Sequence, residues 1–146
     1  MSKSNTFEND LLLLIFNNTN VANVGDATGL RGSTTAGSLY VSLHTADPGE
    51  AGDQTTSEIS YTGYARVAVA RTSGGWTVTG SSVSPAAEIS FGAMTAGTGG
   101  LATHAAVGTA ASGTGKVLYK GALGPTISVS NGVTPKIPVG STITEE

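Results

Sequence analysis

Two histidines and two aspartates are the side chains of this sequence best suited to metal binding or acid–base chemistry. His44 and His104 are the only imidazoles, and Asp47 and Asp53 follow His44 closely. Imidazole and carboxylate groups bind zinc and exchange protons near neutral pH. Neither histidine lies in an HxH or HExxH spacing, and each falls in a predicted strand. We expect both to be structural, with His44 on the outer face of its strand, no metal site and no bound cofactor.

Residues 110–117 read AASGTGKV, which at first sight resembles a phosphate-binding loop. The first glycine of that motif is replaced by Ala110, and the metal-binding hydroxyl after the lysine by Val117. The residues that follow have the composition of a strand, whereas the phosphate site needs a helix N-terminus. We interpret the segment as a hairpin turn. Because no Gly-x-Ser-x-Gly elbow precedes a helix either, we expect no enzymatic activity.

The chain is organised around a strand that leads into a stiff loop. Residues 39–44 alternate between apolar and polar side chains, and Asp47-Pro48-Gly49 then predicts a turn. A second alternating stretch, residues 64–71, predicts a second long strand. Arg66 on that strand and Asp47 in the loop either pair, which would fix the loop by charge-assisted hydrogen bonds, or are unrelated surface charges.

Composition excludes several classes of protein. The 146 residues include 21 glycines and no cysteine, only 12% are charged, and the formal net charge is −3. A single all-β domain with many turns fits these values. Lysine and arginine are few and scattered, so neither nucleic acid nor a membrane is an expected partner. Without cysteine, stability comes from packing or assembly.

The N-terminal apolar run predicts a helix. Asn5 is the predicted N-cap, with Glu8 three residues later. The run is too short to cross a bilayer and follows acidic residues, unlike a signal peptide. Its apolar face is wider than one sheet can cover, so either a neighbouring subunit buries part of it or it plugs one end of its own sandwich. The predicted assembly residues are Phe7, Leu11, Leu12, Leu13 and Phe16.

The rest of the chain predicts eight or nine strands separated by turns. Residues 72–75 and Asn131-Gly132 are predicted hairpin turns, residues 116–123 and 126–129 are predicted to be separate strands, and Trp76 is predicted to lie in the core. The fold class is therefore all-β, a β-sandwich or jelly roll with one N-terminal helix and a long N-terminal arm. We divide the chain into a helix and arm, residues 1–37, and a β-sandwich domain, residues 38–146.

Several blocks resemble a family of small structural proteins of tailed bacteriophages, often labelled tail or tail-fibre proteins. Residues 39–53 read LYVSLHTADPGEAGD, residues 59–67 read ISYTGYARV, and later blocks include SGTGKVLY at 112–119 and GSTIT at 140–144. The motif residues are His44, Asp47, Pro48, Gly49, Tyr64 and Arg66. The resemblance implies a non-enzymatic virion protein that is assembled in the cytoplasm of the bacterial host.

Two functions remain open at this point. The first is a capsid decoration or cement protein that attaches to the virion as an oligomer, with copies of itself and the major capsid or tail protein as partners. Analogy with phage decoration proteins suggests a trimer. The second is a tail or tail-fibre-associated protein that acts as a receptor- or carbohydrate-binding module. Sugar sites need aromatic platforms, and this chain has one tryptophan and four tyrosines.

Overall fold

The computed structural model describes residues 2–25 and 29–145. It contains one helix, α1 (Asn5–Asn17), and the strands β1 (Ser38–His44), β2 (Val67–Ala70), β3 (Trp76–Thr79), β4 (Ser82–Pro85), β5 (Ile89–Ser90), β6 (Gly100–Gly108), β7 (Val117–Val129), β8 (Lys136–Ile137) and β9 (Ile143–Thr144). The predicted fold class, all-β with antiparallel, sandwich-like sheets and one N-terminal helix, is confirmed. No helix in the described residues is long and apolar enough to cross a membrane.

The chain forms two compact units that interleave in sequence. The first takes in the described residues up to Ser38, then Val69–Glu88 and the residues from Pro138 onward. The second takes in Leu39–Ala68 and Ile89–Ile137. The domain division that we predicted at residue 37 stays a prediction.

The four-stranded sheet has the order β2-β1-β6-β7, and the second unit contains β6, β7, all of β1 except Ser38, and the first two residues of β2. β1 pairs antiparallel with β6, with His44 opposite His104, and β6 pairs antiparallel with β7. Both faces of β1 are buried: Leu43 on one face and Ser42 and His44 on the other have no exposed surface. The outward orientation predicted for His44 is wrong: its side chain is fully buried, and its Nδ1 lies 2.8 Å from the carbonyl oxygen of Thr56 in the segment that follows β1.

The first unit packs α1 against β3 and β4. Leu12 and Phe16 are fully buried, and the ring of Phe16 meets that of Trp76 edge to face, with 4.8 Å between centroids. The prediction that Trp76 lies in the core is confirmed, since it is 1% exposed. The predicted N-cap is wrong by one residue: Ser4, with extended backbone, accepts a hydrogen bond from the Phe7 amide at 3.4 Å.

Arg71 ties the C-terminal end of α1 to the segment that follows it. Its guanidinium donates to the carbonyl oxygens of Leu14 and Ile15, at 2.8 and 2.7 Å, and to that of Ala36, at 3.1 Å. Carbonyl groups in the last turn of a helix have no partner within the helix, and a cation there also offsets the negative end of the helix dipole. The polar connection after α1 is held by its own pairs as well, since the Asn18 side chain bonds the backbone of Ser33 in both directions.

The strands around three predicted turns are arranged differently from the sequence prediction. Residues 72–75 do not close a hairpin, because β2 and β3 belong to different sheets. Residues 116–123 and 126–129, predicted as separate strands, form one strand, β7. Asn131-Gly132 does form a tight turn, with a φ of +85° at Gly132 and the Val133 amide bonded to Ser130. Its flanking strands pair elsewhere, β7 with β6 and β8 with β5.

Candidate functional site

A buried ion pair between Glu58 and Arg66 is the centre of the second unit's polar network. Arg66 Nε and Nη2 donate to the two carboxylate oxygens of Glu58 at 2.8 and 2.7 Å, a bidentate arrangement. The Arg66 side chain is 3% exposed and that of Glu58 16%. The Tyr64 hydroxyl donates to Glu58 at 2.8 Å and accepts from the Leu43 amide at 3.1 Å. The Glu58 carboxylate raises the pKa of Arg66, and burial raises that of Tyr64, so Arg66 stays charged and Tyr64 neutral.

Of the two possibilities that the sequence left open for Arg66, pairing with Asp47 is not observed, because Arg66 pairs with Glu58. Tyr64 and Arg66 precede β2, which begins only at Val67, so the strand predicted from residue 64 is too long. A turn with a φ of +105° at Gly63 breaks the extended conformation just before them. Because of this turn the segment folds back and both side chains reach Glu58.

The remaining donors of Arg66 hold an exposed hairpin tip. Nη1 donates to the Ala110 carbonyl at 3.0 Å and Nη2 to the Gly113 carbonyl at 2.9 Å. The tip itself, residues 111–114, is exposed throughout and reads Ala-Ser-Gly-Thr. The predicted hairpin turn between residues 110 and 117 is confirmed, since β6 and β7 flank it and pair with each other.

Gln54 supports the same hairpin from the other side. Its side chain has no exposed surface, accepts from the Ala110 amide at 2.9 Å and donates to the Tyr40 carbonyl at 3.2 Å. The backbone N–H of Gln54 donates to the Gly115 carbonyl at 2.9 Å. A buried carboxamide with both ends satisfied specifies one loop conformation, since any other would leave buried polar atoms unpaired. The hairpin tip is therefore preorganised by buried groups although it buries little itself.

The fit around Gln54 predicts a steric effect at Gly108. A Cβ atom there would collide with the Gln54 carboxamide. Gly108→Ala should therefore lower the free energy of unfolding by about 1–3 kcal/mol, measured by urea denaturation, through overpacking. Gly121→Ala in β7 is the matched control, because a Cβ there meets nothing within 4 Å. Equal stability of these two variants would contradict the packing described here.

His44 is locked between two partners. Nδ1 lies 2.8 Å from the Thr56 carbonyl oxygen and Nε2 lies 2.8 Å from Ser42 Oγ. A carbonyl oxygen only accepts, so Nδ1 carries the proton and Nε2 accepts from the hydroxyl in the neutral ring. Burial lowers the pKa of His44 below its ordinary value of 6.5, and the positive charges of Arg66 and His104 lower it further. The hydrogen bond to the Thr56 carbonyl and the negative charge of Glu58 raise it, but they do not outweigh burial. In its neutral form the ring therefore fastens Thr56 to β1.

The lowered pKa of His44 predicts a pH dependence of stability. Below pH 6.5 the unfolded chain binds a proton at this position that the folded chain resists. The stabilisation is thus complete above pH 6.5 and is lost as the pH falls through and below that value. In chemical denaturation between about pH 5 and 8, His44→Gln should flatten this decline. His104→Gln is the control and should retain it. An identical decline in both variants would rule out His44 as its source.

The predicted loop motif is fixed by its own turn and by a lysine. The Gly49 amide donates to Asp47 Oδ1 at 2.8 Å, Gly49 has a φ of +76°, and Pro48 is buried. Lys120 Nζ lies 3.1 Å from Asp47 and 3.0 Å from Glu50. The Gly49 amide, and after it Lys120, lowers the pKa of Asp47. The structure thus brings His44, Tyr64 and Arg66 into or beside one buried network and leaves the Asp47 turn on the surface.

The predicted assembly residues of α1 fall into two groups. Leu12 and Phe16 are buried within the first unit, while Phe7, Leu11 and Leu13 are half-buried. Only the half-buried group presents surface in this conformation. The role of the five in assembly stays a prediction.

The side chains that could take part in catalysis or metal binding are either fully buried or hydrogen-bonded to separate partners. Ser42 and His44 hold the atoms of a base-activated hydroxyl, but both are fully buried and no substrate could reach the oxygen. Asp53 accepts from its neighbour Thr55, and His104 Nδ1 lies 2.9 Å from Thr103 Oγ1. Within residues 2–25 and 29–145, histidine, aspartate and glutamate form no group of three that could hold a metal ion. The arrangement is suited to rigid presentation of loops.

Two residues of the network, Glu58 and Gln54, were not singled out by sequence reasoning. Glu58 had a usable signal, because it is the only acidic residue between Asp53 and Glu88 and an arginine among apolar side chains needs a carboxylate. Gln54 lies in a polar, threonine-rich stretch that resembles any surface loop. No sequence pattern marks it as buried.

Comparison with known families gives one match that spans nearly the whole chain. Residues 2–145 match the family described as podophage GP4 fiber I protein gp80. No curated protein matches the sequence.

Proposed function

The chain belongs to the family of the podophage GP4 fiber I protein gp80, and from this membership we propose that it is a structural component of the tail fibre of a podophage. The match over residues 2–145 is the observation that carries the proposal. A bacteriophage virion structural role agrees with the resemblance found in the sequence. Between the two functions left open there, the family supports the fibre-associated one and gives no specific support to capsid decoration.

The geometry supports a role in presentation and assembly. Arg66 of the buried Glu58–Arg66 pair donates to the carbonyl oxygens of Gly113, within the exposed tip at residues 111–114, and of Ala110, directly before it. A charged network that fixes an exposed loop reduces the conformational entropy lost when that loop binds. The tip therefore fits a contact with another virion protein or a host receptor.

Glycan binding is the less favoured use of this surface. The sole tryptophan is 1% exposed and packs on Phe16, and Tyr61 is 8% exposed. Sugar sites place an aromatic face beside polar groups, and these two rings are turned inward. We propose protein partners, namely other fibre proteins and further copies of this chain, which join after synthesis in the host cytoplasm.

Localisation on the particle tests the proposal. Phage that carry a C-terminal epitope tag on this chain would be labelled with gold-conjugated antibody and imaged by negative-stain electron microscopy. We expect gold at the tail fibres and none over the capsid. Gold distributed over the capsid shell would overturn the fibre assignment in favour of decoration.

Substitutions at the tip test the contact surface separately. Ser112→Arg and Thr114→Arg should leave the melting temperature unchanged, because both side chains are exposed, but should reduce incorporation into particles or adsorption to cells at least about tenfold. Ser73→Arg, exposed on a different turn, is the control. Wild-type incorporation and adsorption in the tip variants would remove the tip from the proposal and leave the fibre location unaffected.

A further inference from the structure

The sequence contains a single asparagine that is followed by a glycine. This pair, Asn131-Gly132, is the dipeptide most prone to spontaneous loss of the asparagine side-chain amide, because glycine has no side chain to shield its backbone nitrogen. The pair forms the tight turn between β7 and β8, and both residues are exposed. Water and hydroxide therefore reach the place where the reaction would occur.

The reaction needs the backbone nitrogen of Gly132 as its nucleophile. After hydroxide removes its proton, this nitrogen attacks the side-chain carbonyl carbon of Asn131. A carbon–nitrogen bond forms, and the side-chain nitrogen of Asn131 leaves as ammonia. Water then opens the resulting cyclic imide at either of its carbonyl groups, which leaves aspartate or isoaspartate. Both products add a negative charge to the turn, and isoaspartate also lengthens the backbone by a methylene group.

In the folded chain this nucleophile is held by a hydrogen bond. The Gly132 N–H donates to the Met94 carbonyl at 2.8 Å, and the Met94 N–H donates to the Val133 carbonyl at 2.9 Å. Within the turn, the Val133 N–H donates to the Ser130 carbonyl at 2.9 Å. A hydrogen-bonded amide proton is harder to remove, and the Gly132 nitrogen cannot approach the Asn131 side chain without breaking its bond to Met94.

The acceptor of this bond is itself fixed on both sides. On one side, the Phe91 N–H donates to the Pro135 carbonyl at 2.9 Å. On the other side, a Cβ atom at Gly99 would collide with the sulfur of Met94 and with the carbonyl oxygen of Val129, so the chain is closely packed there. Met94 is 3% exposed. Its carbonyl therefore stays opposite the turn unless the segment opens locally, which costs free energy.

We propose that Asn131 is a conditional deamidation site, which the hydrogen bond from Gly132 to Met94 protects in the folded protein and which reacts when this turn opens. Isoaspartate at position 131 would move the next N–H out of line with the Met94 carbonyl. The modification therefore converts a transient opening of the turn into a permanent one. The proposal depends on backbone geometry and not on the position of the protein in the virion.

Incubation of the full-length protein at mildly alkaline pH, native and in guanidinium chloride, tests the proposal. Peptide mass spectrometry measures the conversion of Asn131 in each sample over time. We expect the unfolded chain to react at least about tenfold faster than the native protein, since only the unfolded chain has the turn fully open. Asn131→Gln is the control for the signal and should react in neither state, because its longer side chain cyclises far more slowly. Equal rates in native and unfolded wild-type protein would overturn the proposal.

Gly99→Ala tests the Met94 contact in the folded state. Its added Cβ should loosen the segment that carries the Met94 carbonyl. We expect hydrogen exchange at the Gly132 N–H, measured by NMR, and deamidation at Asn131 to rise by the same factor, because both proceed from the open turn. Gly121→Ala, whose Cβ meets nothing within 4 Å, should leave both rates unchanged.

Circular dichroism establishes that both glycine variants are folded. Deamidation rates that do not follow Gly132 exchange across the wild type and these variants would contradict the protective role of the hydrogen bond. If Gly99→Ala does not fold, the comparison of native with unfolded wild-type protein decides alone.

Discussion

Replacing Arg66 with methionine is expected to lower the free energy of unfolding by about 3–5 kcal/mol, because it leaves the Glu58 carboxylate buried without its cation. The variant also removes the donors to the carbonyl groups of Ala110 and Gly113, so the hairpin tip loses its fixed geometry. Urea denaturation gives the change in stability. Amide exchange within residues 110–115 reports the release of the tip, which should exceed the release of β1.

A double-mutant cycle separates the ion pair from the packing of its aliphatic parts. Arg66→Met combined with Glu58→Leu removes both charges and should cost less than the sum of the two single variants, because neither charge is then left buried and unpaired. Lys120→Met is the surface control. It breaks two ion pairs with exposed carboxylates, and its effect should be far smaller than that of Arg66→Met. Additive single costs in the cycle would contradict a coupled buried pair.

The sequence predicted the fold class well where local signals and burial agree. Alternation in residues 39–44, the turn between residues 110 and 117 and the anchoring role of Trp76 all depend on short-range pattern or on the cost of exposing a large apolar ring. These features do not depend on which distant segment approaches. The same sequence patterns would predict these features in many different arrangements of the strands.

The hydrogen-bond partners of the polar side chains could not be predicted from the sequence. Alternation in β1 predicted one buried and one exposed face, yet Ser42 and His44 have no exposed surface. Alternation reports polarity, and a polar face becomes buried when a loop satisfies its hydrogen bonds, as Thr56 does for His44. The choice of Glu58 over Asp47 for Arg66 likewise depends on the fold-back at Gly63, which brings together side chains eight residues apart.

For the apolar run of α1, the sequence could not predict which part of the molecule or of a neighbour buries the helix. The sequence predicts an apolar face wider than a helix on one sheet needs, but periodicity does not say what covers a helix face. Two outcomes were open, burial by a neighbouring subunit or by the chain's own strands. In the structure, Leu12 and Phe16 face β3 and β4 within the first unit, while Phe7, Leu11 and Leu13 remain half-buried.

Phe16→Ala tests how far α1 contributes to the protein's own core, and we expect it to lower the free energy of unfolding by about 3–5 kcal/mol. The ring is fully buried and packs edge to face on Trp76, so its removal loses transfer free energy and leaves a cavity beside the largest side chain of the unit. Thermal and urea denaturation measure the loss. The Trp76 fluorescence in the native state should also shift, because its neighbour is gone.

Leu13→Ala, on the half-buried side of the same helix, is the matched control and should cost clearly less. If α1 were an arm that contributes contacts only to a partner, Phe16→Ala would leave the isolated protein as stable as the wild type and would affect association alone. A large loss of stability with unchanged oligomeric state would instead place Phe16 in the core. Of the five predicted assembly residues, Phe7, Leu11 and Leu13 would then remain able to meet a neighbour. Serine substitutions at those three positions would then change assembly without the stability loss of Phe16→Ala.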